Sequence, residues 1–139
     1  MIILDTNVLS ALMQTKPDLR VVSWLDRVPA ESVWITSITL FEAQFGLALL
    51  PDGKRRKILV TLFEEIIEKD LEGRILLFDR MASEQAAYLA AARRKIGYTV
   101  DMRDTFIAGI VLAKKATLAT RNIKHFRELQ VDVVNPWEK

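Results

Sequence analysis

Five short runs of apolar and β-branched residues recur along the chain: MIILD at 1–5, SVWIT at 32–36, RILLFD at 74–79, ATLAT at 116–120 and VDVVN at 131–135. Each has the length and residue type of a β-strand. The stretches between them at 37–50, 54–70, 81–96 and 102–115 are too long for turns and repeat their apolar residues at helical spacing. Strands alternating with helices predict an α/β fold, a three-layer sandwich in which helices cover both faces of a mostly parallel, five-stranded sheet. No repeat, low-complexity tract or linker interrupts the pattern, so a single domain spanning 1–139 is expected. A chain of this size buries roughly two thirds of its unfolded surface. In such sheets every strand hands its following loop and helix N-terminus to the same edge, so polar residues at the strand ends are the candidates for function.

Asp5 closes the first run and is followed by Thr6 and Asn7. It serves either as the N-cap of a helix beginning near Val8 or as the first ligand of something that needs negative charge. Glu42 lies within the arc that Ile38, Phe41, Phe45 and Leu49 define on one helix, and a carboxylate in a buried stripe is costly unless paired or coordinated. A nearby Arg or Lys, or a place at the stripe's wet margin, satisfies it equally well. Asp101 reads as the N-cap of the helix at 102–115, and Asp104 as its N3 acid on the face of Ile107 and Val111, toward the same sheet edge. Thr120 ends the fourth run. Beyond it, Asn122 either offers an amide oxygen, holds a water or caps a short helix, with capping the preferred use.

Composition narrows the chemistry. With no cysteine and one histidine, the chain has neither thiolate metal sites nor a disulfide, and a two-histidine ribonuclease mechanism is excluded. Three carboxylates gathered at one sheet edge repel one another, and oxygen-only ligands suit Mg2+ or Mn2+. Such sites hydrolyse phosphodiesters. The balance of 20 Lys and Arg against 18 Asp and Glu gives only +2, too little to identify a nucleic-acid binder. KRRK at 54–57, RRK at 93–95, and Arg121, Lys124 and Arg127 form local basic clusters, read first as solvated helix faces. The longest non-polar run, FIAGIVLA at 106–113, falls short of the roughly 20 residues that span a bilayer, so no membrane contact is expected. The N-terminus lacks a basic leader, and a cytoplasmic location is expected.

LDTN after the first strand, ITLFE at a helix start, DTFIAG and the ATRN loop together resemble the PIN-domain family, and most of all the VapC-type toxin ribonucleases of type II toxin–antitoxin systems. FGLALLPDGKRR, GRILLFD and NPW make the FitB branch the nearest resemblance. The likeness implies acidic metal ligands at Asp5, Glu42 and Asp104, supported by the polar residues Thr6, Asn7 and Thr120. Asn122 stands where many members carry an additional Asp, which leaves one or two catalytic metals open and is compatible with a single tightly held Mg2+ in the free protein. The resemblance further implies a homodimeric, Mg2+-dependent endoribonuclease restrained by a cognate VapB-type antitoxin, the pair contacting operator DNA through the antitoxin.

The same residues admit other readings. A phosphotransfer domain of the HAD type needs an Asp where Asn7 stands, and a receiver needs an acidic pair and a lysine that are missing, although Asp79 offers its third-strand acid. A PIN-like module that binds RNA or protein without cleaving is the stronger competitor. Arg121 and Lys124 are candidates to hold RNA phosphates, His125 reads as a surface residue, and Trp24, Trp34 and Trp137 as core or dimer contacts.

Overall fold

A computed structural model describes residues 1–138; the last residue of the expected 1–139 domain, Lys139, lies outside them. The element order is β1 (Ile2–Leu4), α1 (Thr6–Leu12), α2 (Leu19–Asp26), β2 (Val33–Thr36), α3 (Ser37–Leu49), α4 (Lys54–Glu65), β3 (Ile75–Leu76), α5 (Arg80–Lys95), α6 (Met102–Lys114), β4 (Thr117–Ala119) and β5 (Val133–Val134). A π-helical turn, Ile66–Asp70, extends α4, and a 3₁₀ turn, Ile123–Phe126, follows β4. All five predicted strands are present. Helix α1 begins at Thr6, two residues before the expected start, and α2 was not singled out by the apolar pattern.

The strands lie in the order β3-β2-β1-β4-β5, every neighbouring pair parallel. Ile3 pairs with Leu118 and Leu4 with Ala119. Because side chains alternate across a strand, Ile3 and Leu118 enter one core with Ile107, Ile110 and Phe126. Leu4 and Ala119 enter the other with Val8, Leu9, Val21 and Phe63. The sheet is therefore covered on both faces, as expected. On the first of these faces α5 and α6 approach closely: a Cβ on Gly109 would stand 2.5 Å from the Ala82 carbonyl oxygen, so only glycine fits there.

Helices start on side-chain caps, Asp5 and Thr36 directly at strand ends. Asp5 accepts from the Thr6 amide, Thr36 from Thr39, Asp79 from Ala82 and Asp101 from Arg103. The chain leaves β1 toward β2 and leaves β4 toward β5, so a crevice opens where the two ends part.

Candidate active site

Asp5 sits at that crevice and is 3% exposed. One carboxylate oxygen accepts the Thr6 amide at 2.8 Å; the other accepts the Thr120 hydroxyl at 2.7 Å, from the end of β4. The Asn7 amide bridges the two strands, reaching Thr120 Oγ1 at 3.3 Å and Asp5 at 3.4 Å while its oxygen accepts the Arg121 amide. Asp5 is thus both the helix cap and a buried acid. Burial pushes its carboxyl up from 3.8 to about 6; the Thr120 and Thr6 hydrogen bonds oppose that rise, and the charges of Asp104 and Glu42 add to it.

Glu42 is reached by a line of threonines. Its carboxylate accepts the Thr6 hydroxyl at 2.8 Å, and Thr6 Oγ1 lies 3.0 Å from Thr39 Oγ1, which in turn lies 3.4 Å from Thr36 Oγ1. Each hydroxyl has one proton, and that of Thr6 goes to the carboxylate. The run therefore points Thr36 to Thr39 to Thr6 to Glu42, each dipole reinforcing the next. The stripe that was expected to bury Glu42 is a correction: Phe41, Phe45 and Leu49 are 56%, 49% and 70% exposed. The cap at Thr36 turns Thr39, Ala43 and Leu47 toward the sheet instead. Glu42 lies on the border between the two faces, and Arg103 Nη1 approaches it at 3.5 Å.

Asp104 is the N3 residue of α6, in the turn capped by Asp101. The ring of His125, brought back by the 3₁₀ turn after β4, lies 2.9 Å away through Nδ1. His125 was read as a surface residue; it is half-exposed but bound to the site. Arg93 is a second correction. It belongs to the cluster expected to be a solvated helix face, yet it is buried, donating to Glu128 at 2.6 Å, to the Thr105 hydroxyl at 2.9 Å and to the His125 carbonyl at 2.5 Å. Two of its three partners thus adjoin Asp104, one in sequence and one through the His125 ring. A buried guanidinium needs such partners to offset its lost hydration, but nothing in the run RRK distinguishes the first Arg from the second.

Asp5, Glu42 and Asp104 converge at the crevice closely enough for the latter two to act on Asp5. Among the described residues no three acidic or histidine side chains are already gathered as a metal cage. Glu42 leans on Thr6 and Arg103, and Asp104 on His125. This open arrangement fits Mg2+ or Mn2+, because Mg2+ keeps much of its water and binds through one or two carboxylates together with phosphate oxygens. The donors are oxygen, and a cation would offset both the burial that chiefly raises Asp5 and the smaller repulsion from Asp104 and Glu42. Asn122 is exposed and its side chain makes no capping bond; its backbone amide donates to Thr120 at 3.0 Å. Asp79 caps α5. Arg121, Lys124 and Arg127 line a cleft of about 570 Å³ together with His125. Arg121 also lies 4.9 Å above the Trp137 ring.

The PIN-domain family model matches residues 2–131. The VapC ribonuclease Y4jK of Sinorhizobium fredii is 39% identical over 99% of both chains. The toxin FitB of Neisseria gonorrhoeae is 36% identical, again over 99% of each. Among solved structures, FitAB bound to an IR36 DNA fragment superposes with a TM-score of 0.90 at 36% identity, covering 100% of this chain and 97% of that one.

Proposed function

The chain belongs to the PIN-domain family, and from that premise we propose that it is a Mg2+-dependent endoribonuclease, with Mn2+ as a substitute, acting as the toxin of a type II toxin–antitoxin pair. The observation that carries this reading is the buried Asp5 facing Glu42 and Asp104 at the carboxyl edge of the sheet. Catalysis is assigned to these three, with Asp5, Asp104 and Glu42 holding the metal.

When bound, a divalent ion lowers the pKa of a water and offsets charge on the phosphate undergoing attack. The protein's part is to hold the ligands still and to seat the RNA. Thr120 and Asn7 hold Asp5, while Thr6 at the end of its hydroxyl line holds Glu42. Arg121 and Lys124 in the adjoining cleft bind RNA phosphates without reading sequence. Since Asn122 supplies no carboxylate, one resident metal is assigned to the free protein.

A relative named as a toxin, and the FitAB assembly solved on DNA, support a cognate VapB-type antitoxin as partner. Operator DNA is then contacted through the antitoxin. The outward row of Phe41, Phe45 and Leu49 supports a homodimer, since contiguous exposed apolar surface marks an interaction site. No described helix is long and apolar enough to cross a membrane; the cytoplasmic location and the single PIN domain belong to the proposal and follow from its RNA substrate and antitoxin partner.

The test uses the chain purified free of antitoxin and incubated with RNA in Mg2+, in Mn2+ and in EDTA. Cuts in both metals that vanish in EDTA support the proposal. Intact RNA in all three, with RNA still bound, supports the non-cleaving module instead.

A further inference from the structure

Beside the acidic crevice, a second cavity of about 480 Å³ opens between the end of α5, the loop 96–101 and the first turns of α6. Its volume falls within the roughly 300–1,000 Å³ typical of small-molecule sites. We propose that this cavity is a nucleobase subsite, stacking one base of the RNA strand next to the cleaved phosphate on the ring of Tyr98. The proposal rests on the ribonuclease reading and extends it to how the substrate is gripped.

Position is the first argument. Met102 and Thr105 line the cavity, and both lie in the same α6 segment as Asp104, one on either side of it in the chain. The link in space runs through Arg93, which lines the cavity and donates to the Thr105 hydroxyl and to the His125 carbonyl, while the His125 ring reaches Asp104 at 2.9 Å, so the cavity wall is joined to the acidic crevice.

The second argument is how Tyr98 is held. Gly97 takes a φ of +71°, and the Tyr98 and Gly97 amides return to the Arg93 and Arg94 carbonyls at 2.8 and 3.1 Å, ending α5 as a glycine cap. The Tyr98 hydroxyl donates to the Lys124 carbonyl at 3.0 Å, and the buried Arg93 guanidinium stands 5.6 Å from the ring centre. The ring is thus fixed at its backbone and at its hydroxyl, yet Tyr98 remains 38% exposed. An aromatic ring pinned in this way but left open to solvent is a platform whose ordering cost is already met, which is what stacking on an unpaired base requires.

Chemistry of the walls is the third. Met102 is 54% exposed and offers a polarisable thioether beside the ring. Among the described residues that line the cavity, Arg93 is already paired with Glu128 and Arg94 carries the charge open to an occupant, and no carboxylate is in the lining. The walls therefore favour a flat group attached to a polyanion, and the Lys124 whose carbonyl Tyr98 is tied to lines the basic cleft with Arg121 and Arg127.

The test uses an RNA oligonucleotide with one mapped cut and an abasic nucleotide placed in turn at each flanking position. Wild type is compared with Tyr98→Ala and Tyr98→Phe, all shown to be folded by their melting curves. At one position the abasic change lowers wild-type kcat/KM roughly tenfold, the scale of one lost base stack. Tyr98→Ala shows a similar loss on intact RNA and becomes indifferent to the abasic change at that position, while Tyr98→Phe restores the sensitivity. A Tyr98→Ala protein as sensitive as wild type at every position overturns the subsite. So does a Tyr98→Phe protein that behaves like Tyr98→Ala, because the residue then acts only as a latch through its hydroxyl. If wild type cuts no RNA, the ribonuclease reading falls, and binding of RNA carrying a fluorescent purine analogue decides the subsite: quenching seen in wild type and lost in Tyr98→Ala supports it, and no quenching in either overturns it.

Discussion

The Thr120 hydroxyl at the end of β4 donates to the Asp5 carboxylate at the end of β1, at 2.7 Å, joining the two strand tips across the crevice where the chain turns to opposite sides of the sheet. The bond holds a buried acid that burial and two like charges otherwise push toward its neutral form. It links the topology of the sheet to the chemistry proposed at its edge.

The raised carboxyl of Asp5 sets a pH signature with the opposite sign to that of an ordinary surface acid. Below about 4 Asp5 is protonated in both folded and unfolded chains. Between about 4 and 6 the folded protein holds the proton more tightly, so its stability falls as pH rises, and above about 6 the loss is complete. Holding the carboxyl near 6 costs the ionised, metal-free protein on the order of 3 kcal/mol. Urea unfolding in EDTA is predicted to show this decline, and Asp5→Asn to remove it. Mg2+ is predicted to restore stability above pH 6 in wild type only, since protons and metal compete for the same oxygens.

Thr120→Val removes the donor to Asp5 while keeping the shape of the side chain. The expected cost is about 1–3 kcal/mol. Because the hydrogen bond lowers the Asp5 pKa, its loss moves the titration midpoint above 6, and Mg2+ affinity is expected to fall by roughly 10–100-fold at neutral pH. Thermal shift against Mg2+ concentration reads both effects. Unaltered Mg2+ affinity in a folded variant would show that the bond does not serve the metal site.

Arg93 joins α5 to Thr105 and to the turn carrying His125. Arg93→Ala leaves Thr105 and the His125 carbonyl without their donor, for an expected destabilisation of about 2–4 kcal/mol. Arg93→Lys lacks the planar fork and is expected to recover only part of it. Denaturant midpoints distinguish these outcomes from the change within about 0.5 kcal/mol that a solvated helix face would give.

The row of Phe41, Phe45 and Leu49 is expected to matter for association and not for the fold. Phe41→Ser with Phe45→Ser is predicted to change the stability of the isolated chain by about 0.5 kcal/mol or less, and to convert a dimer to a monomer in analytical ultracentrifugation. A wild-type chain that sediments as a monomer at all concentrations contradicts the proposed homodimer.

Strand ends were legible because apolar runs stop where the chain must turn, and Asp5 and Thr120 lie at two such stops. Asp104 was legible from helical spacing and its cap. Glu42 was reached for the wrong reason: periodicity reveals an apolar face but not whether the sheet or another surface covers it, so an exposed row was read as core. Arg93, His125 and Tyr98 were not legible as parts of one assembly. Their roles arise from contacts across 12 to 35 residues of chain, and no local pattern distinguishes a buried arginine from its solvated neighbour.

Asp5, Glu42 and Asp104 are proposed to form one metal-dependent nuclease centre. Its most direct test measures RNA cleavage in Mg2+ by wild type and by Asp5→Asn, Glu42→Gln and Asp104→Asn, each shown to be folded. The prediction is that each substitution lowers the rate by at least about a hundredfold, more than the loss of a supporting residue would. Cleavage at the wild-type rate by any one folded variant would remove that residue from the centre, and retention by all three would contradict the account.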